Sequence, residues 1–210
     1  MITLDAIGLK HGTDKSSTFH DYLRFYEAIL PARANPVNFL EIGVDGGASI
    51  RMWREWYNHP EGLIHGLDHN VKCWRPEPSD DPSQRIILHY GEQESIDRCR
   101  SLRGHGPFDV IIDDGGHHSG PQAVTFQELW RSVRPGGLYI VEDVHAAYEK
   151  AYVGDSLSIV QFFRCLIDEQ VNQWGKSQCG KSNFVSPTDE EFEEIDTITF
   201  RRSLIIVRKK

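Results

Sequence analysis

Apolar residues along the chain fall into short continuous runs separated by amphipathic stretches. The runs at 39–44, 63–67, 85–90, 108–112 and 138–141 read as strands. Their continuity is that of strands covered on both faces. Between them, 48–57, about 92–102 and 121–133 carry helical spacing, and 134–137 (RPGG) reads as a turn. Strands alternating with helices imply right-handed crossovers and a mainly parallel sheet. Ahead of this pattern, a polar loop at 11–17 precedes a helix over 19–30, which Pro31 ends. Behind it, 156–174 contains a further helix. The runs 194–200 and 204–207 are joined so tightly by Arg201-Arg202-Ser203 that they must pair antiparallel. Segments 71–84 and 178–189 read as loops.

The expected fold is therefore a single α/β domain over 1–210. It has seven strands, mostly parallel, a C-terminal antiparallel hairpin, and helices on both faces. Residues 1–35 form an N-terminal lid or helix, and 149–194 an insertion on the acceptor side. At 210 residues one well-buried core is expected rather than two. The formal net charge of −8 disfavours a phosphate backbone as partner, so no nucleic acid is expected. No apolar run is long enough to span a bilayer, and residues 1–10 lack a secretory pattern. A cytoplasmic protein without membrane contact is the expectation. Cys73, Cys99, Cys165 and Cys179 form no C-x-x-C pair and are expected to be free thiols.

Two groups of residues carry candidate chemistry. The first strand runs into Glu41-Ile42-Gly43-Val44-Asp45-Gly46-Gly47-Ala48-Ser49, where glycines allow a sharp turn and close approach of a ligand. Asp68 ends the second strand, where a carboxylate can accept hydrogen bonds from ribose hydroxyls. The loop is neither G-x-G-x-x-G nor a Walker loop, which lowers the odds of a nicotinamide cofactor; a tight turn without any ligand is the bland alternative. The second group is Asp113-Asp114-Gly115-Gly116-His117-His118 with Glu142-Asp143, at the tips of neighbouring strands. Asp114, Glu142 and Asp143 should converge and repel one another, and a divalent cation would relieve that. Oxygen ligands favour Mg²⁺, Mn²⁺ or Ca²⁺ over zinc. His117 is placed to take a proton from a hydroxyl acidified by that cation. Asp113 also reads as a structural strand end, and His118 as a packing histidine. A zinc site of His117, His118 and His145 is the weaker alternative.

Assembled, these residues resemble the metal-dependent sugar O-methyltransferases of natural-product biosynthesis, the mycinamicin and macrolide type. The resemblance runs from His11 to about Tyr148. It rests on HGTDK at 11–15, FLEIGV at 39–44, RMW at 51–53, GEQES at 91–95, IIDDGGHH at 111–118 and RPGGLYIVED at 134–143. It implies a Rossmann-like class I methyltransferase fold and the cofactor S-adenosylmethionine (SAM). By that resemblance Asp114, Glu142 and Asp143 bind Mg²⁺ (or Mn²⁺ or Ca²⁺), and His117 is the general base. Glu41, Gly43, Gly47, Ser49, Asp68, Gln93 and Asp113 fall at SAM. The HGTDK loop, His20 and Tyr22 close over cofactor and acceptor. The implied partner is a small-molecule acceptor, a sugar among the candidates, with a homo-oligomer as a candidate assembly. Gly116 stands where the family usually has serine, and 149–194 shows no match. A cephalosporin-hydroxylase-like relative with another reaction and a non-catalytic SAM-binding module are the alternatives.

Overall fold

The computed structural model describes residues 2–70, 85–154, 157–171 and 194–210. Five strands of one sheet run parallel: β1 (Asn38–Ile42), β2 (Leu63–Asp68), β3 (Ile86–Tyr90), β4 (Phe108–Asp113) and β5 (Val133–Val141). A hairpin of β6 (Ile195–Arg201) and β7 (Leu204–Lys209) completes it, with β7 antiparallel to β5. The spatial order is β3-β2-β1-β4-β5-β7-β6. Strand order reverses between β1 and β4, and in open α/β sheets ligands bind beyond the carboxyl ends at such a point.

Strand residues alternate between two apolar cores, one on each face. Leu40 and Ile42 of β1 join Phe126, Leu129 and Trp130 of α5 (Ser119–Leu129) and the 3₁₀ turn after it, together with Phe163 of α7 (Ile159–Val171). Phe39 and Ile112 join Trp53 and Ile50 of α3 (Ala48–Trp56), Leu4 and Ile7 of α1 (Leu4–His11), and Tyr26 of α2 (Leu23–Ile29). Helix α4 (Ile96–Arg103) contributes Cys99 and Leu102 to the first core, and α6 (Lys150–Val153) is a single short turn. The fold class is the one the strand pattern implied.

Several local readings are corrected. Helix α1 was not expected. Thr3 caps it by accepting from the Ala6 amide at 3.2 Å, and Gly12 ends it in the left-handed region. Helix α2 starts at Leu23 rather than residue 19, because 13–22 is tied into turns. The Tyr22 amide reaches the Lys15 carbonyl at 2.9 Å and the His20 amide reaches that of Asp14 at 3.0 Å. The 134–137 turn lies inside β5, which continues across it with a register irregularity opposite Phe108–Val110. Cys99 is a buried free thiol as expected, but Cys165 is disulfide-bonded, against expectation. The loops expected at 71–84 and 178–189 lie outside the described residues. No helix among the described residues is long and apolar enough to cross a membrane.

Candidate functional site

The carboxyl ends of β1, β2, β4 and β5 open into a cavity of about 730 Å³, within the range of small-molecule sites. Gly43 allows its first wall to form. Its φ is +86°, and a Cβ built there would lie 1.9 Å from the Asp114 carbonyl oxygen. The β1 loop and the β4 loop can thus touch only through a glycine. Asp68 fixes the same loop: its Oδ2 accepts from the amides of Val44 at 2.9 Å and Asp45 at 3.0 Å. A carboxylate has further lone pairs, so Asp68 retains acceptor capacity toward the cavity it lines. We expect Gly43→Ala to lose about 2–5 kcal/mol of stability, from backbone strain plus overpacking. Urea denaturation tests this; a loss under about 1 kcal/mol would mean the two loops can separate.

On the other side of the cavity the acids divide between two positions. Asp114 and Asp143 line the cavity with His117. These three side chains offer ligand atoms that all lie within 4.8 Å of one another. Tyr22 donates to Asp143 Oδ1 at 2.7 Å, and His117 Nε2 stands 3.7 Å from Asp143 Oδ2. His117 Nδ1 is buried without a hydrogen-bond partner. Both His117 (φ 57°) and Asp143 (φ 52°) hold left-handed backbone, which His and Asp adopt more readily than most residues.

Behind them, Glu142 faces inward. Its carboxylate accepts from Lys15 Nζ at 2.8 Å and from Tyr26 OH at 2.7 Å. Lys15 is 1% exposed and also pairs with Asp114, while Glu41 Oε1 lies 3.4 Å from the same ammonium. Burial alone would lower the Lys15 pKa. Asp114, Glu142 and Glu41 outweigh it and hold the ammonium protonated well above its usual range. Burial in turn raises Glu142 and Asp114 and pushes Glu41 up to about 7, each opposed by Lys15. One ammonium faces three carboxyls whose ionised forms burial disfavours, with Asp143 alongside, so a further cation there would favour the ionised forms. Two hard carboxylates at the mouth and a third behind them suit a divalent cation such as Mg²⁺.

Of the residues the sequence singled out, Gly43, Ser49, Asp68, Gln93, Asp114, His117 and Asp143 line the cavity together. Glu41, Gly47, Asp113 and Glu142 do not. Glu41 is buried and accepts from Ser49 Oγ at 2.8 Å. Gly47 is the left-handed residue that begins α3. Asp113 lies behind Gln93, accepting from its Nε2 at 2.6 Å and from Tyr139 OH at 3.1 Å, and burial pushes it up to about 7. Gln93 Oε1 in turn accepts from the Gly116 amide at 3.2 Å, so Asp113 holds Gln93 at the loop that carries His117. His118 is exposed, lines the cavity and lies against the Tyr152 ring. The sequence reading placed HGTDK and Tyr22 over the site but missed that Lys15 enters the acid cluster and that Tyr26 anchors Glu142. A lysine in a polar loop gives no local signal of partners 99 and 127 residues away.

A family model for a methyltransferase domain matches residues 40–144, half of the chain. The chain belongs to this methyltransferase-domain family. Among curated proteins, this methyltransferase-domain chain is 32% identical to the 8-demethyl-8-alpha-L-rhamnosyl tetracenomycin-C 2'-O-methyltransferase of Streptomyces olivaceus, over 99% of this chain and 54% of that protein. It is 35% identical to the mycinamicin VI 2''-O-methyltransferase of Micromonospora griseorubida, over 73% and 39% respectively. Among solved structures, the MycE methyltransferase from the mycinamycin biosynthetic pathway, in complex with Mg, SAH and mycinamycin VI, aligns with a TM-score of 0.82. The identity is 28%, over 99% of this chain and 53% of that one. The chain thus spans about half the length of the curated relatives it matches. The fold is that of the class I methyltransferases.

Proposed function

We propose that this methyltransferase-domain chain transfers the methyl group of SAM, with a divalent cation, to a hydroxyl of a small polyhydroxylated or glycosylated acceptor. The observation that carries the reading is the convergence on one cavity of the Gly43–Asp68 wall and the Asp114–His117–Asp143 cluster. When bound, SAM supplies an electrophilic methyl and the cation acidifies the acceptor hydroxyl. Gly43, Ser49, Asp68 and Gln93 hold the cofactor, with Asp68 keeping the glycine loop in place. Asp114 and Asp143 hold the cation. Glu142, which the sequence reading also assigned to the cation, lies one position behind them against Lys15 and Tyr26. His117 takes the acceptor proton at the mouth, and its positive-φ backbone keeps the ring directed there. The N-terminal segment 1–35 closes the site through Lys15 and Tyr22. Glycosylated acceptors are proposed because the curated relatives named above act on a rhamnosyl tetracenomycin and on mycinamicin VI.

Methyl transfer from SAM to a panel of glycosylated metabolites, with Mg²⁺ or with EDTA, tests the proposal. Turnover is expected with Mg²⁺ and none with EDTA. Asp114→Asn is expected to weaken Mg²⁺ binding roughly tenfold or more while SAH affinity stays nearly unchanged. Turnover indifferent to EDTA, or Mg²⁺ affinity unaffected by that substitution, would remove the cation from the reaction.

A further inference from the structure

We propose that His65, His89 and His105 form a second cation site, built of imidazoles alone. It is suited to a divalent metal of the zinc class and clips the β3 edge of the sheet to the connection between α4 and β4. The three histidines come from β2, β3 and that connection, and none of them lines the cavity described above. The parallel register pairs His65 with Ile87 and Leu67 with His89, so His65 and His89 project from the same face one diagonal step apart. Each of the three rings offers a nitrogen, and these nitrogens all lie within 4.8 Å of one another. Ring centroids are 5.4 Å apart for His65 and His89, 5.3 Å for His65 and His105, and 4.7 Å for His89 and His105. His65 Nδ1 and His89 Nε2 are 3.1 Å apart. Two nitrogens each bound to a tetrahedral zinc at roughly 2.0–2.1 Å would be about 3.3 Å apart, so one edge of such a site already has nearly its spacing.

A second observation concerns the same ring. His65 is 1% exposed and its Nε2 has no hydrogen-bond partner, so its polar contacts run through Nδ1, the nitrogen that faces His89. The ring stacks on His89 and meets Phe108 edge-on, and as a metal ligand it would in addition join three chain segments. Burial, reinforced by His89 and His105, pushes its pKa down to about 3, which keeps its lone pair free of a proton. The donor chemistry sets the ligand class. A set of neutral imidazoles without a carboxylate favours Zn²⁺, Cu²⁺ or Ni²⁺ over Mg²⁺, Mn²⁺ or Ca²⁺, the reverse of the preference at Asp114 and Asp143. His105 is exposed and provides the entry path. Three ligands leave a fourth position for solvent.

The test uses the full chain without a histidine tag, in excess Mg²⁺ so that the acid site is occupied. Titration with Co²⁺ is expected to reveal one equivalent with tetrahedral d–d absorption, displaced by Zn²⁺, and Zn²⁺ is expected to raise Tm by several degrees. His105→Ala keeps the backbone contacts to Leu102 and Asn38 and should fold. It is expected to weaken Zn²⁺ binding roughly tenfold or more and to abolish the Tm rise. Its thermal response to Mg²⁺ stays that of the native protein. His89→Gln should reproduce both losses. The proposal is overturned if no Co²⁺ or Zn²⁺ binds under excess Mg²⁺. It is equally overturned if His105→Ala binds Zn²⁺ as the native chain does, or if His117→Ala is the substitution that removes the binding.

Discussion

Replacing Lys15 with methionine is expected to destabilise the protein by about 3–5 kcal/mol at pH 8 in EDTA, the cost of leaving buried charges without their partner. Lys15 is buried among Glu41, Asp114 and Glu142, and methionine fills its volume without its charge. Without the ammonium the three carboxylates repel one another, and the cheapest response is to bind protons. Their folded-state pKa values, already raised by burial, must rise further. A carboxylate whose folded pKa lies above its unfolded value loses stability as pH rises through the interval between them. The gap between native and variant protein should therefore be small near pH 4.5 and widen toward pH 8. Urea denaturation at several pH values checks this. Mg²⁺ should recover more stability in the variant than in the native protein, because it meets less competing positive charge. A difference under about 1 kcal/mol at pH 8 would show that Lys15 does not neutralise the cluster.

Replacing His117 with asparagine should lower turnover roughly 10²–10⁴-fold, the range for loss of a positioned general base. Asparagine tolerates left-handed backbone far better than most residues, so the loop at φ 57° is retained and the chemistry alone is lost. Mg²⁺ and SAH affinities should change by less than about threefold, a difference under 1 kcal/mol. Steady-state kinetics beside calorimetry separate the two effects. Near-native turnover would move the base to His20 or His145, whose ring nitrogens lie 3.7 Å and 3.9 Å from Asp143 Oδ1.

The sheet was legible because a parallel strand covered on both faces is mostly apolar, and β1, β2 and β4 are, apart from Asn38 and Glu41, His65 and Asp68, and Asp109 and Asp113. The glycine loop and Asp68 were legible because the turn beyond β1 admits few residue types. The paired acids were legible as a group but not in their division of labour, although strand geometry contains half of it. Adjacent residues on a strand point to opposite faces. Asp113 and Asp114 therefore part, one to Tyr139 and Gln93, the other to Lys15. Glu142 and Asp143 lie beyond β5 and part where the backbone turns left-handed at Asp143, one to Tyr26 and the other to Tyr22. Lys15 was not legible in its role, since nothing in HGTDK fixes a contact with strands beyond residue 40. Helix α1 left a weak signal: its caps, Thr3 and Gly12, were present, but eight residues carry little periodicity. The histidine cluster has no motif spacing, because it depends on the β2–β3 register and on a connection that returns to it.

The most direct measurement is a crystal structure with SAH and Mg²⁺ bound. The expected result is the adenosyl group in the 730 Å³ cavity against Gly43 and Asp68, with the cation between Asp114 and Asp143 on the side of His117. SAH on another edge of the sheet, or a cation that does not touch Asp114 and Asp143, would contradict the assignment of cofactor and metal to a single site.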